Sequence, residues 1–291
     1  MSPLIERQVM ARLLAITDLP TLPEIVSKIL SIAEDDRSSA ADLTALLEQD
    51  HAISARILRL ANSVFYGLRC RVDSIRRAVV VLGFDAVCQL ALATSVFTTL
   101  AQRKQFALDP DDFWMHSFGA AKAAQLISQR CGFGDPESCF TAALLHDIGK
   151  YLFAMILGDE YAAVVDEARQ SGVLLRDIEK ERLGLTHTTL GCWLAEKWRF
   201  PEITTTAIAQ VYNAAADPAS HNPETVVVAF SNELSRLAGF GFAGDYVNSP
   251  LSRSLLGAVK LDRKAANGLV EALEKFRNET RELIGAHDSE T

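Results

Sequence analysis

Apolar residues recur at three- and four-residue spacing along nearly the whole chain, and no period-two alternation lasts long enough to demand a sheet. Helix starts and stops punctuate that spacing. Thr21-Leu22-Pro23-Glu24 is a capping-box pattern. Ser39 with Asp42, then Asp50, then Asp73 or Ser74 can open the next helices, and Gly83 can end the last of them. Residues 78–82 and 226–230 are β-branched enough to suggest strands, but the caps on either side favour helix. The expected fold class is therefore all-α. The polar stretch QRKQFALDPDD, residues 102–112, is the best-marked boundary. It predicts an N-terminal helical bundle over 1–101, a linker over 102–112 and a second helical subdomain over 113–238. A loop and C-terminal helices over 239–291 are expected to pack on that second part.

The richest chemistry lies in His146-Asp147-Ile148-Gly149-Lys150, at the end of the apolar run TAALL. Neutral histidine and aspartate are ligands for first-row metals, and a lysine just beyond them can hold a phosphate oxygen. Consecutive helical residues point about 100° apart, so His146 and Asp147 reach one ion only where a helix ends beside a cavity. Gly149 suits such an end because it tolerates left-handed backbone.

Composition narrows the partners. A net charge of −8 over 291 residues argues against a nucleic-acid binder that works by neutralising many phosphates. The N-terminus carries Glu6 and no apolar signal core. The most apolar run, residues 86–100, is short for a bilayer and includes Gln89, Thr94 and Ser95, so a buried core helix is expected there. Five cysteines are scattered without a CxxC pair, which fits reduced thiols. Together these features lead us to expect a cytoplasmic protein without nucleic-acid or membrane partners.

Six histidines make the search for further ligands short. His116, in FWMHSF, and His187, in GLTHTTLG, lie on helices among apolar neighbours. His51, His221 and His287 read as exposed. The order W-x-H-S, LLHDIGK and E-x-x-G-x-x-H-x-x-x-G resembles the HD phosphohydrolase superfamily. Upstream, LPTLPEIVSKIL, the D-L-x-x-L-L-x-x-D segment, LRLANSVFYG and the S-I-x-x-A-V-x-x-L-G segment resemble the HDOD family, HD-related output domains of bacterial signalling proteins.

The resemblance runs from about residue 19 to about residue 238 and implies an N-terminal bundle followed by an HD-like subdomain. It also implies that His116, His146 and Asp147 are metal ligands, that His187 is a later ligand of the two-metal branch, and that Lys150 contacts phosphate. Two positions depart from the fuller pattern. Val211 and Tyr212 stand where better-equipped relatives carry a His-His pair, and Asn232 stands where a final aspartate is expected. Valine cannot ligate, and asparagine is a neutral, weak ligand. A one-ion site of His116, His146 and Asp147, with His187, remains conceivable. A two-metal clamp on a phosphodiester does not. No catalytic residue is assigned, and no carboxylate in these motifs stands ready as a general base.

Arg56, Arg59, Arg69, Arg71, Arg76 and Arg77 cluster in the N-terminal half of an otherwise acidic chain. Arg56 and Arg59 share a helix face. The cluster reads either as a docking surface for an acidic partner or nucleotide phosphate, or as a solvated face. The candidate ligand-binding residues are therefore Lys150, Arg56, Arg59, Arg76 and Arg77. The expected function is a non-catalytic regulatory module that binds a signalling partner protein or ligand, with no cofactor or with one divalent metal. The alternative is a metal-dependent phosphohydrolase or phosphodiesterase acting on a nucleotide. The final amphipathic helix permits a homodimer.

Overall fold

The structure, a computed structural model, describes residues 11, 24–35, 37–62, 66, 68, 70–101, 108–245 and 250–285. Every regular element among the described residues is helical. They fall into two compact units: one within Pro20–Gln102 together with residues from Glu274 onward, the other within Arg103–Leu273.

The N-terminal unit contains α1 (Glu24–Glu34), α2 (Ala40–Leu47), α3 (His51–Ala61), α4 (Ile75–Leu82) and α5 (Phe84–Ala101). Local capping sets their starts. Ser39 and Asp42 form the reciprocal box at α2, Asp50 accepts the Ile53 amide at 3.0 Å at α3, and Ser74 accepts the Arg77 amide at 3.3 Å at α4. Thr21, the expected cap of α1, lies outside the described residues. Helix α5 packs against α1, α2, α3 and α4 and buries Val87, Leu90, Ala91 and Leu92. The Asn62 side chain behaves like a piece of strand. Its amide donates to the Val72 carbonyl and its oxygen accepts from the Val72 amide, both at 2.6 Å, which ties the end of α3 to the approach to α4.

The second unit contains α6 (Pro110–Cys131), α7 (Pro136–Leu145), α8 (Ile148–Leu157), α9 (Asp159–Ser171), α10 (Leu175–Leu183), α11 (His187–Lys197), α12 (Glu202–Ala216), α13 (Pro223–Leu237) and α14 (Arg253–Ala258). Helix α6 packs on α7 and α13, and α12 packs on α7, α11 and α13. Residues 78–82 and 226–230 are helical. The span Pro136–Leu157 is apolar and long enough to cross a membrane by composition, yet 89% of its most apolar window is buried in the core. The last helix is α15 (Arg263–Gly285). Its Ala266, Leu269 and Leu273 are buried, and from Glu274 onward it groups with the N-terminal unit.

Gly149 also plays a different part from the one its position suggests. It sits inside the first turn of α8 and is absent from the positive-φ glycines. A Cβ there would strike the His187 carbonyl and come within 2.7 Å of the Gly191 amide nitrogen. The residue is needed because α8 and α11 cross there backbone to backbone. Gly149→Ala should lower stability by about 1–3 kcal/mol through overpacking. Gly257→Ala, in open space on α14, should be neutral or stabilising. Urea unfolding midpoints of the two variants check the contrast.

Candidate metal centre

Helix α7 ends at Leu145, and His146 and Asp147 form the turn into α8. This places both side chains at a helix junction in the core, where His146 is 0% and Asp147 1% exposed. His146 Nδ1 lies 2.7 Å from the Ala143 carbonyl, which can only accept, so this nitrogen carries the proton and Nε2 carries the lone pair. Nε2 points at Asp147 Oδ2, 3.3 Å away. From α6, His116 Nε2 lies 3.7 Å from the same oxygen. His116, His146 and Asp147 thus offer ligand atoms within 4.8 Å of one another.

His187 approaches the other side of Asp147, its Nε2 3.5 Å from Oδ1. It is held by Glu179, one of whose oxygens receives both the His187 backbone amide at 2.8 Å and Nδ1 at 2.7 Å. The same carboxylate therefore serves an open amide of the first turn of α11 and fixes the imidazole tautomer. Its second oxygen accepts from the buried Tyr161 hydroxyl at 2.7 Å. His146 Nε2, His187 Nε2 and Asp147 Oδ1 are buried without a hydrogen-bond partner. Lone pairs aimed at a carboxylate call for a cation or a proton between them. Donor atoms around a tetrahedral first-row ion lie about 3.4 Å apart, so this donor set fits one such ion.

Lys150 was expected to offer its ammonium to a phosphate. It is fully buried and meets protein acceptors instead: Asp147 Oδ2 at 2.8 Å, the Ala243 carbonyl at 2.8 Å and Asp245 Oδ2 at 3.4 Å. Burial would lower its pKa, but Asp147 and Asp245 outweigh that and raise it. Burial would likewise raise the Asp147 carboxyl, yet the charges around it, among them the Lys150 ammonium 2.8 Å away, hold it well below the usual carboxylate range.

Asp245 is the residue that sequence reasoning missed most. It receives the Leu175 amide at 3.1 Å and the Tyr212 hydroxyl at 3.0 Å, and pairs with Arg236 at 3.7 Å. Burial would raise its carboxyl, but Lys150 and Arg236 bring it down to about 2. Glu179 was missed too, although its spacing of four from both Leu175 and Leu183 puts it on the buried stripe of α10. So two carboxylates do stand at the site, both outside the motifs that pointed to it. Asp245 had no such signal beyond being the lone acid in a glycine-rich loop.

Tyr212 lies at the site, its ring edge-on to His187 at 5.5 Å, whereas Val211 is buried core. Asn232 is buried on α13 with its Oδ1 unpartnered, and Ser235 on the same helix donates to the His116 carbonyl at 3.0 Å. The cluster therefore gathers three carboxylates, Asp147, Glu179 and Asp245, against two permanent cations, Lys150 and Arg236. The arginines lie elsewhere, in the N-terminal unit. Arg59, Arg76 and Arg77 are exposed and Arg56 is half-buried, on the packed pair α3 and α4. Val80 is 80% exposed and shares a face of α4 with Arg76 and Arg77.

A helical unit with a His…His-Asp cluster at a helix junction defines an HD-type domain. The profile of the HDOD domain matches residues 19–214, and the chain belongs to that family. A crystal structure of an HDOD domain protein of unknown function from Geobacter sulfurreducens is similar at 27% identity and a TM-score of 0.80, covering 96% of this chain and 97% of that one. A Shewanella amazonensis protein proposed to be a phosphohydrolase is similar at 26% identity and a TM-score of 0.72, covering 97% of each chain. A Treponema pallidum protein is 24% identical over 84% of this chain, which spans 47%, about half, of that relative.

Burial, partly offset by Asp147, lowers the His116 pKa from 6.5 to about 3. The unfolded chain therefore takes up this proton first. The contribution to stability is complete above about pH 6.5 and is lost as pH falls towards about 3. Melting temperature in chelator should fall from about pH 7 to pH 5, and the slope should be shallower in His116→Asn.

Proposed function

We propose that the chain is a non-catalytic signalling module, with the HD-like unit as a rigid scaffold and a partner protein docking on the N-terminal unit. The observation that carries this reading is the 2.8 Å bond between Lys150 and Asp147. The carboxylate on which a hydrolytic metal pair would depend is already balanced by an internal ammonium. Val211 and Tyr212 supply no second-metal ligands, and the Tyr212 hydroxyl is committed to Asp245. The resemblance to output domains of bacterial signalling proteins supports the same reading.

His116, His146 and Asp147 are the residues that would hold a single divalent ion, which would supply positive charge and Lewis acidity there. The bare Nε2 atoms of His146 and His187 favour a second reading, a metal-dependent phosphohydrolase acting on a nucleotide. The two readings separate in one assay. Protein loaded with manganese, iron, nickel or zinc is incubated with bis(p-nitrophenyl) phosphate beside Asp147→Ala. The expected result is equal background release from both, and metal-dependent release lost in the variant would overturn the scaffold.

For the partner, the exposed face of α4 carries Arg76, Arg77, Val80 and Val81, apolar surface flanked by positive charge. Its complement is an amphipathic segment bearing acidic residues. Replacing Arg76 and Arg77 with Glu and Val80 with Asp should leave the melting temperature unchanged and abolish crosslinking of the partner. Equal crosslinking by both proteins would remove α4 from the docking surface.

A further inference from the structure

The two sides of the cluster around Asp147 are finished differently. On the His116 side lies a cavity of about 80 Å³, lined by His116, Arg236, residues 241–243 and Asp245. On the other side His187 Nε2 and Asp147 Oδ1 stand 3.5 Å apart, buried and without hydrogen-bond partners. Tyr212 covers that side. Its ring meets the His187 ring edge-on at 5.5 Å, and Tyr212 is itself half-buried, whereas His187 and Asp147 are buried completely. Arg176 of α10 lies over the Tyr212 ring in turn, its guanidinium carbon 4.8 Å from the ring centroid. The Arg176 side chain is 30% exposed and makes a loose 3.7 Å pair with the exposed Asp177. From solvent inward the order is therefore guanidinium, phenol, imidazole, carboxylate.

Two latches hold the Tyr212 ring: the cation over its face and the hydroxyl bond to Asp245 Oδ2 at 3.0 Å. Both can open without moving a helix. Glu179, in the middle of α10, is pinned by the Tyr161 hydroxyl and by two bonds to His187, so the helix stays while Arg176, in its first turn, swings away. Asp245 keeps the Lys150 ammonium and the Leu175 amide when the phenol leaves. Opening therefore breaks one hydrogen bond and one cation–ring contact. Behind the ring, a bare imidazole nitrogen beside a bare carboxylate oxygen attracts a divalent cation. The Arg176 charge at the mouth repels the same ion until it swings aside.

We propose that Tyr212 is a side-chain gate, latched by Arg176 and Asp245, through which a divalent cation reaches Asp147 Oδ1 and His187. The gate sets how fast the centre fills and empties and leaves its ligand atoms unchanged. The proposal goes beyond the scaffold reading, since it concerns entry and needs neither turnover nor the α4 partner.

The test uses the whole chain, free of metal, and diethyl pyrocarbonate, which acylates neutral imidazole. Mass spectrometry of peptides follows each histidine in wild type, Tyr212→Phe and Arg176→Ala. His187 should react slowly in wild type. It should react about tenfold faster in Tyr212→Phe, the factor for losing a hydrogen bond to a charged group. In Arg176→Ala the gain should be about threefold, that of an exposed cation–ring contact. His116, on the cavity side, and the exposed His51 should keep their wild-type rates. An unchanged His187 rate in both variants would overturn the gate, and so would equal acceleration at His116, which marks general loosening. Arg176→Ala alters a partly exposed side chain and decides the matter even if Tyr212→Phe fails to fold. Cobalt(II) uptake, read from visible absorption, should quicken by the same factors. Equal uptake rates in all three proteins, or no uptake by any, would take the cation away from this route and overturn the proposal. Neither readout involves phosphodiester release, so the gate can fail while the scaffold reading stands.

Discussion

A buried ammonium costs several kcal/mol to desolvate unless acceptors meet it, and in the HD-like unit that ammonium is Lys150. Its acceptors come from two places, the turn after α7 and the stretch that follows α13. Once the lysine is inside, residues 243–245 must come to it, and Gly241 lets them come. A Cβ at Gly241 would collide with the Asp112 carbonyl on α6, and the neighbouring Phe242 amide bonds that same carbonyl at 3.0 Å. One cation thus fixes the path of a loop, the cap of α10 and the orientation of the Tyr212 hydroxyl.

The histidines are organised differently, each from behind. Ala143 holds His146 and Glu179 holds His187, so both rings keep their Nε2 lone pairs forward whatever stands in front of them. This explains why scaffold and hydrolase are hard to tell apart from motifs. These supports stand beside a buried Val211 and a Tyr212 whose hydroxyl is bonded to Asp245. Similarity to the Geobacter structure at a TM-score of 0.80 and 27% identity shows how much sequence change this framework accommodates.

Much of this was legible in the sequence because it is local. Helical period, the Ser39–Asp42 box, Asp50 and Ser74 are read within four residues of themselves, and the HD-x-GK run names its own chemistry. What was not legible is tertiary. Asp245 reaches Lys150 across 95 residues and Ser235 reaches His116 across 119, and no periodicity encodes such meetings. Gly149 was visible but its reason was not, since close approach and left-handed backbone favour the same residue. The division of α15 at Leu273 was hidden for a similar cause, because an amphipathic stripe shows that a helix packs without showing on what.

Those long separations have a consequence for how the unit comes to exist. Contacts over 95 and 119 residues demand closure of large loops of chain, and such contacts form late because their entropy is lost before they give anything back. Helices α7 and α8, by contrast, are adjacent in sequence and can form early. During synthesis Lys150 therefore emerges well before Asp245 exists to receive it, and remains hydrated until α13 and the loop behind it have left the ribosome. The charged cluster therefore closes only after the chain as far as Asp245 has been made.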